Sequence, residues 1–238
     1  LGGVPVRIPV YAENGYQFEI RDFEERLTPK TKMIVLTNPN NPTTVSYRRE
    51  KLEQLAEFVV KNDLIVVVDQ AFEEPVFDGI EMVTIAALPG MWERTVTVFS
   101  ISKGMGLSGL RVGYIVADDV IMDKMYGTAV SVIGATSTSA QMGAIAALKD
   151  CGFMEAYFET FDRRRKIVYE HLHDIPNPAF CPGWTCQSSG RRARSWRTLE
   201  NTRRFPLIPA CPMEKKEKGI SALCTAYLQA MKNWKQPF

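Results

Sequence analysis

The sequence predicts an α/β layer structure built on a mostly parallel sheet. Short apolar runs end repeatedly in polar turn residues, and one clear amphipathic helix separates two of them. A third observation is the run "LIVVVDQAF" from Leu64, which is too continuously apolar to alternate. A strand of that kind is expected to be covered on both faces, as in parallel sheets.

Taken along the chain, "VPVRIPV" at Val4–Val10 reads as a strand interrupted by prolines, which suits a sheet edge. "MIVLTNPNNP" begins at Met33 as a strand and closes in Asn and Pro turn residues. After Ser46, "RREKLEQLAEFVVKN" puts Leu52, Leu55, Ala56 and Val59 on one helical face. "TVTVFSIS" from Thr95 and "LRVGYIVA" from Leu110 read as further strands. Residues 137–148 read as an alanine-rich helix, and 153–171 as a longer helix that serves as a connector.

Composition places a boundary near residue 175. From there onward 11 Lys and Arg stand against 3 Asp and Glu, whereas 18 stand against 24 before it. Four of the five cysteines and seven of the fourteen prolines also fall in this tail. The expected organisation is an α/β domain over 1–150, a connecting helix over 151–174, and a divergent segment over 175–238. The abrupt change also suits a shifted reading frame. Arg191, Arg192, Arg194, Arg197, Arg203 and Arg204 lie in the tail with Trp184 and Trp196, but a solvated tail is favoured over nucleic-acid contact.

Several function classes drop out. No apolar run is long enough to span a membrane and no leader opens the chain, so a cytoplasmic address is expected. The five cysteines form no C-x-x-C pair, and no histidine lies at zinc-finger spacing, so no metal site is expected. Only His171 and His173 are available as imidazole bases, which disfavours a Ser-His nucleophile. "LIVVVDQ" resembles a nucleotide-hydrolase strand, but the partner motif G-x-x-x-x-G-K-[ST] is missing.

Gly104, Gly106 and Gly109 spell G-x-G-x-x-G, yet a strand pattern follows them where a dinucleotide loop needs a helix. Ligands of open α/β sheets bind beyond the carboxyl ends of the strands. Those ends deliver Asn38–Thr43, Asp69 and Ser100–Lys103. A buried carboxylate at Asp69 would keep a pyridine nitrogen protonated, and Lys103 would condense with an aldehyde. Ser100, Ser102 and Arg111 suit a phosphate, and Asn41 suits a ring oxygen. Together these groups describe a site for pyridoxal 5'-phosphate.

"SISKGMGLSGLRVG", "NPNNPT" and "VVVDQAF" resemble three motifs of the class I/II aminotransferases, the fold-type-I pyridoxal-phosphate enzymes related to aspartate aminotransferase. The resemblance covers roughly residues 1–172. It implies that Lys103 is the aldimine lysine and shuttles the substrate proton, and that Asp69 holds the ring nitrogen. Asn41 then bonds the ring oxygen, and Ser100, Arg111 and, less firmly, Ser102 hold the phosphate. It further implies amino-group transfer between an amino acid and a 2-oxo acid by a homodimer. Two alternatives stay open: a lyase or synthase of the aminocyclopropane-carboxylate synthase or C–S lyase kind, and a truncated, non-catalytic chain.

The pattern departs from the family in two places. The family carries a tyrosine three residues after the aspartate, and this sequence has Phe72. Loss of that hydroxyl removes a donor to the ring oxygen and is expected to raise the aldimine pKa. The family also implies a preceding segment of about a hundred residues, with strands, a phosphate-binding helix terminus and an aromatic stacked on the ring.

Overall fold

A computed structural model describes residues 2–172 of the 238-residue chain. The expectations for the basic tail therefore lie outside the described residues. Four strands form one sheet in the order β1 (Met33–Thr37), β2 (Ile65–Asp69), β3 (Thr95–Ser100) and β4 (Gly113–Val116). The first three are parallel, with Thr37 opposite Asp69 and Asp69 opposite Val98. β4 runs antiparallel to β3, with Ser100 opposite Gly113. Among the described residues, five α-helices accompany the sheet: α1 (Ile20–Glu24), α2 (Arg49–Lys61), α3 (Asp119–Val132), α4 (Thr138–Lys149) and α5 (Phe153–Leu172).

Alternation along the strands decides which face is covered. Ile34, Leu36, Val66 and Val68 point into one buried cluster. From α2 it receives Leu52, Leu55, Ala56, Phe58 and Val59, the predicted face plus one phenylalanine. Phe18, Phe23 and Tyr47 close it from the amino-terminal side, with Phe18 packed edge-on against Phe23 at 5.4 Å between ring centroids. Each large side chain buried here contributes about 1.5–3 kcal/mol relative to exposure.

The opposite face is covered only in part, with Val96 of β3 buried there. Met33 and Val35 stand exposed, the latter at 72%, and Ile65 and Val67 are half-buried. The expectation that β2 is covered on both faces is therefore corrected, because the described helices pack mainly on one side of these strands. The alternation was hidden in the sequence because both faces of β2 carry aliphatic residues.

Two other elements differ from the sequence reading. Val4–Val10 forms no strand; Val4 and Val6 are exposed, and only Ile8 and Val10 touch the core. Its prolines remove ladder donors, and β1 takes the sheet edge instead. α3 was not foreseen. Asp118 caps it by accepting from the Val120 backbone N–H at 3.0 Å, but no residue of the helix is buried. Ile121, Met125, Ala129 and Val132 recur at three- to four-residue spacing, a helical signal that the sequence reading passed over.

α4 and α5 lie as expected. Ala140, Ala144 and Leu148 form the buried line of α4 at four-residue spacing. α5 is tied back to the loop after β2 by Arg165, which bonds Asp78 and Asp162 and lies 4.5 Å from the centroid of the Phe77 ring. No helix among the described residues is long and apolar enough to cross a membrane.

Candidate active site

The carboxyl ends of β1, β2 and β3 lie side by side, and each feeds a loop with a chemical group. Asp69 ends β2 on the face away from the core cluster, and parity puts Ser100 of β3 on that same face. Asp69 is exposed, not buried as expected, because no described element covers this edge. Its Oδ1 accepts from the Ala71 backbone N–H at 2.9 Å, which fixes the carboxylate on the first residues of its own loop.

The loop after β1 uses its three asparagines differently. Asn38 is 1% exposed; its Nδ2 donates to the Val83 carbonyl at 3.3 Å and its Oδ1 accepts from the Tyr47 N–H at 3.0 Å. The Asn38 backbone N–H donates to the Asp69 carbonyl at 3.0 Å, which ties this loop to the end of β2. Asn40 donates to the Tyr47 hydroxyl at 3.2 Å and accepts from the Thr43 hydroxyl at 2.7 Å. Burial pushes the Tyr47 hydroxyl pKa up, against the smaller opposing effect of the Asn40 bond. Asn41 stands exposed at the tip, with no side-chain hydrogen bond among the described residues. Two of the three amides hold the loop, and the third is presented.

After β3 the chain turns through Ser102 and Lys103 before returning as β4. The Ser100 hydroxyl accepts from the Ser102 N–H at 3.2 Å, so both serines lie at the start of the turn. Lys103 is exposed, and its ammonium lies over the Phe72 ring, 5.6 Å from the centroid. Gly104 permits the close packing of this turn on the loop after β2: a Cβ there would lie 3.1 Å from the Glu74 carbonyl oxygen. Gly106 takes a φ of +67°, a conformation glycine adopts without strain, and its Cα faces Tyr157 of α5. These glycines shape a return into an antiparallel strand, consistent with rejecting the dinucleotide reading.

Arg111 is the residue that does not converge. It adopts a φ of +56°, and its guanidinium donates to the Ser108 carbonyl at 3.0 Å within its own loop. Beside the site lie two residues that sequence reasoning passed over. Gln70 is buried and donates to the Thr84 hydroxyl at 3.3 Å. The Glu73 carboxyl is half-buried and its pKa is pushed up to about 8, first by burial and then by the neighbouring Glu74 carboxylate. Two consecutive glutamates following an apolar strand were the available signal.

Comparison with known proteins decides the lineage. Residues 1–230 match the model of the family described as aminotransferase class I and II. The chain belongs to the class I and II aminotransferase family. The match runs past the composition boundary near residue 175. An aromatic-amino-acid aminotransferase from Thermococcus litoralis is 34% identical over 184 residues, covering 76% of this chain and 47% of that protein. An aspartate aminotransferase from Pyrococcus abyssi is 35% identical over 184 residues, with the same coverages of 76% and 47%. The solved aromatic aminotransferase of Pyrococcus horikoshii superposes with a TM-score of 0.71 at 34% identity, over 74% of this chain and 48% of that one. The chain thus spans about half the length of the curated relatives it matches. The α/β architecture is that of a partial fold-type-I large domain.

Enzymes of this class use pyridoxal phosphate, and the donor set at the strand ends fits that group chemically. A primary amine, a carboxylate, an unspent amide and two hydroxyls issue from adjacent parallel strands, while the carboxylate and the amine stay exposed to an incoming ligand. Among the described residues, no group of three His, Cys, Asp or Glu side chains is placed to hold a metal ion.

Proposed function

We propose that this chain carries the lysine-bearing part of a pyridoxal-phosphate enzyme that moves an amino group between an amino acid and a 2-oxo acid. The observation that supports this most is the delivery of the Asn41 loop, Asp69 and the Ser100–Lys103 turn from three neighbouring parallel strand ends. When bound, the cofactor supplies an electron-withdrawing ring that stabilises negative charge at the substrate α-carbon.

The side chains then have defined tasks. Lys103 would provide the amine that holds the cofactor aldehyde and the base that moves the proton at the substrate α-carbon. Asp69 keeps the pyridine nitrogen protonated by pairing with its N–H. Asn41 donates its free amide to the ring oxygen. Ser100 and Ser102 offer hydroxyls to the phosphate, and Arg111 offers a fixed charge once it exchanges the Ser108 carbonyl for the phosphate.

A second reading rests on exposure. Asp69, Lys103 and Arg111 all face solvent, so a partner, such as the second subunit of a homodimer, is what would exclude water from the site. In that case the chain alone holds the cofactor weakly. Adding pyridoxal phosphate to the purified 238-residue chain and recording its absorbance tests both. A lysine-dependent band in the chain alone supports the first reading. A band that needs a partner supports the second, and no band under either condition defeats the assignment. Release of one 2-oxo acid per bound cofactor separates amino transfer from elimination.

A further inference from the structure

Gln70 follows Asp69 directly and, by alternation, turns back toward the buried side of the sheet, where it is 1% exposed. Its backbone N–H extends the ladder by donating to the Val98 carbonyl of β3 at 2.8 Å. Its side-chain Nε2 donates to the Thr84 hydroxyl at 3.3 Å, and the next residue, Ile85, belongs to the core. The other end of the amide, Oε1, is buried and accepts no hydrogen bond among the described residues. A buried amide with an unpaired oxygen costs stability, and Val68, two residues back on the same face, shows that an aliphatic side chain fits there. The amide is therefore explained by what it holds.

What it holds is one peptide unit. The Gln70 carbonyl accepts from the Glu73 N–H at 3.0 Å, and the Ala71 N–H, across the same peptide bond, donates to Asp69 Oδ1 at 2.9 Å. A peptide is planar, so its carbonyl and N–H turn together. Freeing the Gln70 side chain from Thr84 lets that plane turn, and the Ala71 N–H then leaves the carboxylate. The Asp69 backbone is held separately, by the Asn38 N–H donating to its carbonyl at 3.0 Å.

We propose that Gln70 is a positioning residue for Asp69: pinned between β3 and Thr84, it fixes the peptide whose N–H aims the carboxylate at an incoming ring nitrogen. The identity of that ligand rests on the pyridoxal-phosphate reading, whereas the aim of the carboxylate is a property of the chain alone.

The first test is cofactor-free amide hydrogen exchange of the 238-residue chain, read by NMR at Ala71 and Asn38. In Gln70→Leu, exchange at Ala71, corrected for the changed neighbour, is expected to quicken about fivefold, as for the loss of one exposed hydrogen bond, while Asn38 keeps its rate. An unchanged Ala71, or equal quickening of both amides, overturns the proposal. Should Gln70→Leu fail to fold, Thr84→Val removes the same bond from the opposite side and is read in the same way.

The second test is a double-mutant cycle on pyridoxal phosphate affinity, measured by absorbance. Gln70→Leu is expected to weaken binding about fivefold when Asp69 is present and to change it less than about twofold in Asp69→Ala. Equal weakening in both backgrounds marks a purely structural role and overturns the proposal, as does no weakening in either. A selectively faster Ala71 in a chain that gives no cofactor band defeats the cofactor reading alone. An unchanged Ala71 in a chain that gives the band defeats only the role of Gln70.

Discussion

The Lys103 ammonium lies over the face of Phe72, 5.6 Å from the ring centroid, at the position where the family resemblance implies a tyrosine. The ring therefore meets the lysine as a cation–π partner and offers no hydrogen bond to a bound cofactor. Restoring the hydroxyl with Phe72→Tyr adds one donor worth about 1 kcal/mol, or roughly one pKa unit. In the cofactor-loaded protein, the pH midpoint of the visible absorbance change is expected to lie above 7 and to fall by about one unit in Phe72→Tyr. A wild-type midpoint well below 7 contradicts this.

Asn38 and Asn41 sit three residues apart and should fail in different ways. Asn38→Ala strands the buried Val83 carbonyl and Tyr47 N–H, at a cost of about 2–3 kcal/mol in urea unfolding. Asn41→Ala, at an exposed tip, should leave stability within about 0.5 kcal/mol while weakening pyridoxal phosphate binding. Equal losses of stability in the two variants would remove this division of labour.

Glu73 gives stability a pH dependence whose sign follows from linkage. Its folded pKa, about 8, lies above the ordinary carboxylate value of 4.5. Below the ordinary value both states are protonated. Between the two values the folded protein binds more protons than the unfolded chain, so stability falls as pH rises and levels off above the folded value. Glu74, also pushed up by burial, adds the same sign. Glu73→Gln should therefore lose part of the decline, melting roughly 3 °C above wild type at pH 8.5 relative to their difference at pH 5. Parallel curves of melting temperature against pH would refute it.

Arg165 fastens α5 to the loop beside the site, with its side chain only 9% exposed between Asp78, Asp162 and Phe77. Arg165→Ala should cost about 2 kcal/mol and reduce hydrogen-exchange protection along α5. Unchanged protection there would mean that other contacts hold the helix.

Much of this was legible because local chemistry and fold agree. The motif loops fall at strand ends, and the apolar face of α2 follows its 3.6-residue period. The partly covered face of β2 was not legible, since Ile65 and Val67 are as aliphatic as Val66 and Val68. α3 was legible in the helical spacing of Ile121, Met125, Ala129 and Val132, but the reading passed over it. The work of Asn38 and Asn40 and the contact between Phe72 and Lys103 arise from approaches between separate loops, which residue spacing does not encode. Arg111 is expected by resemblance to meet the phosphate, whereas its guanidinium donates to the Ser108 carbonyl, a local bond that residue spacing does not reveal.

The most direct test of the central claim is the absorbance of the 238-residue chain with pyridoxal phosphate, compared with Lys103→Ala under the same conditions and with a potential partner chain present or absent. The account predicts a band that borohydride fixes onto the peptide containing Lys103 and that the variant lacks. A band of equal strength in Lys103→Ala, or fixation at another lysine, would contradict it.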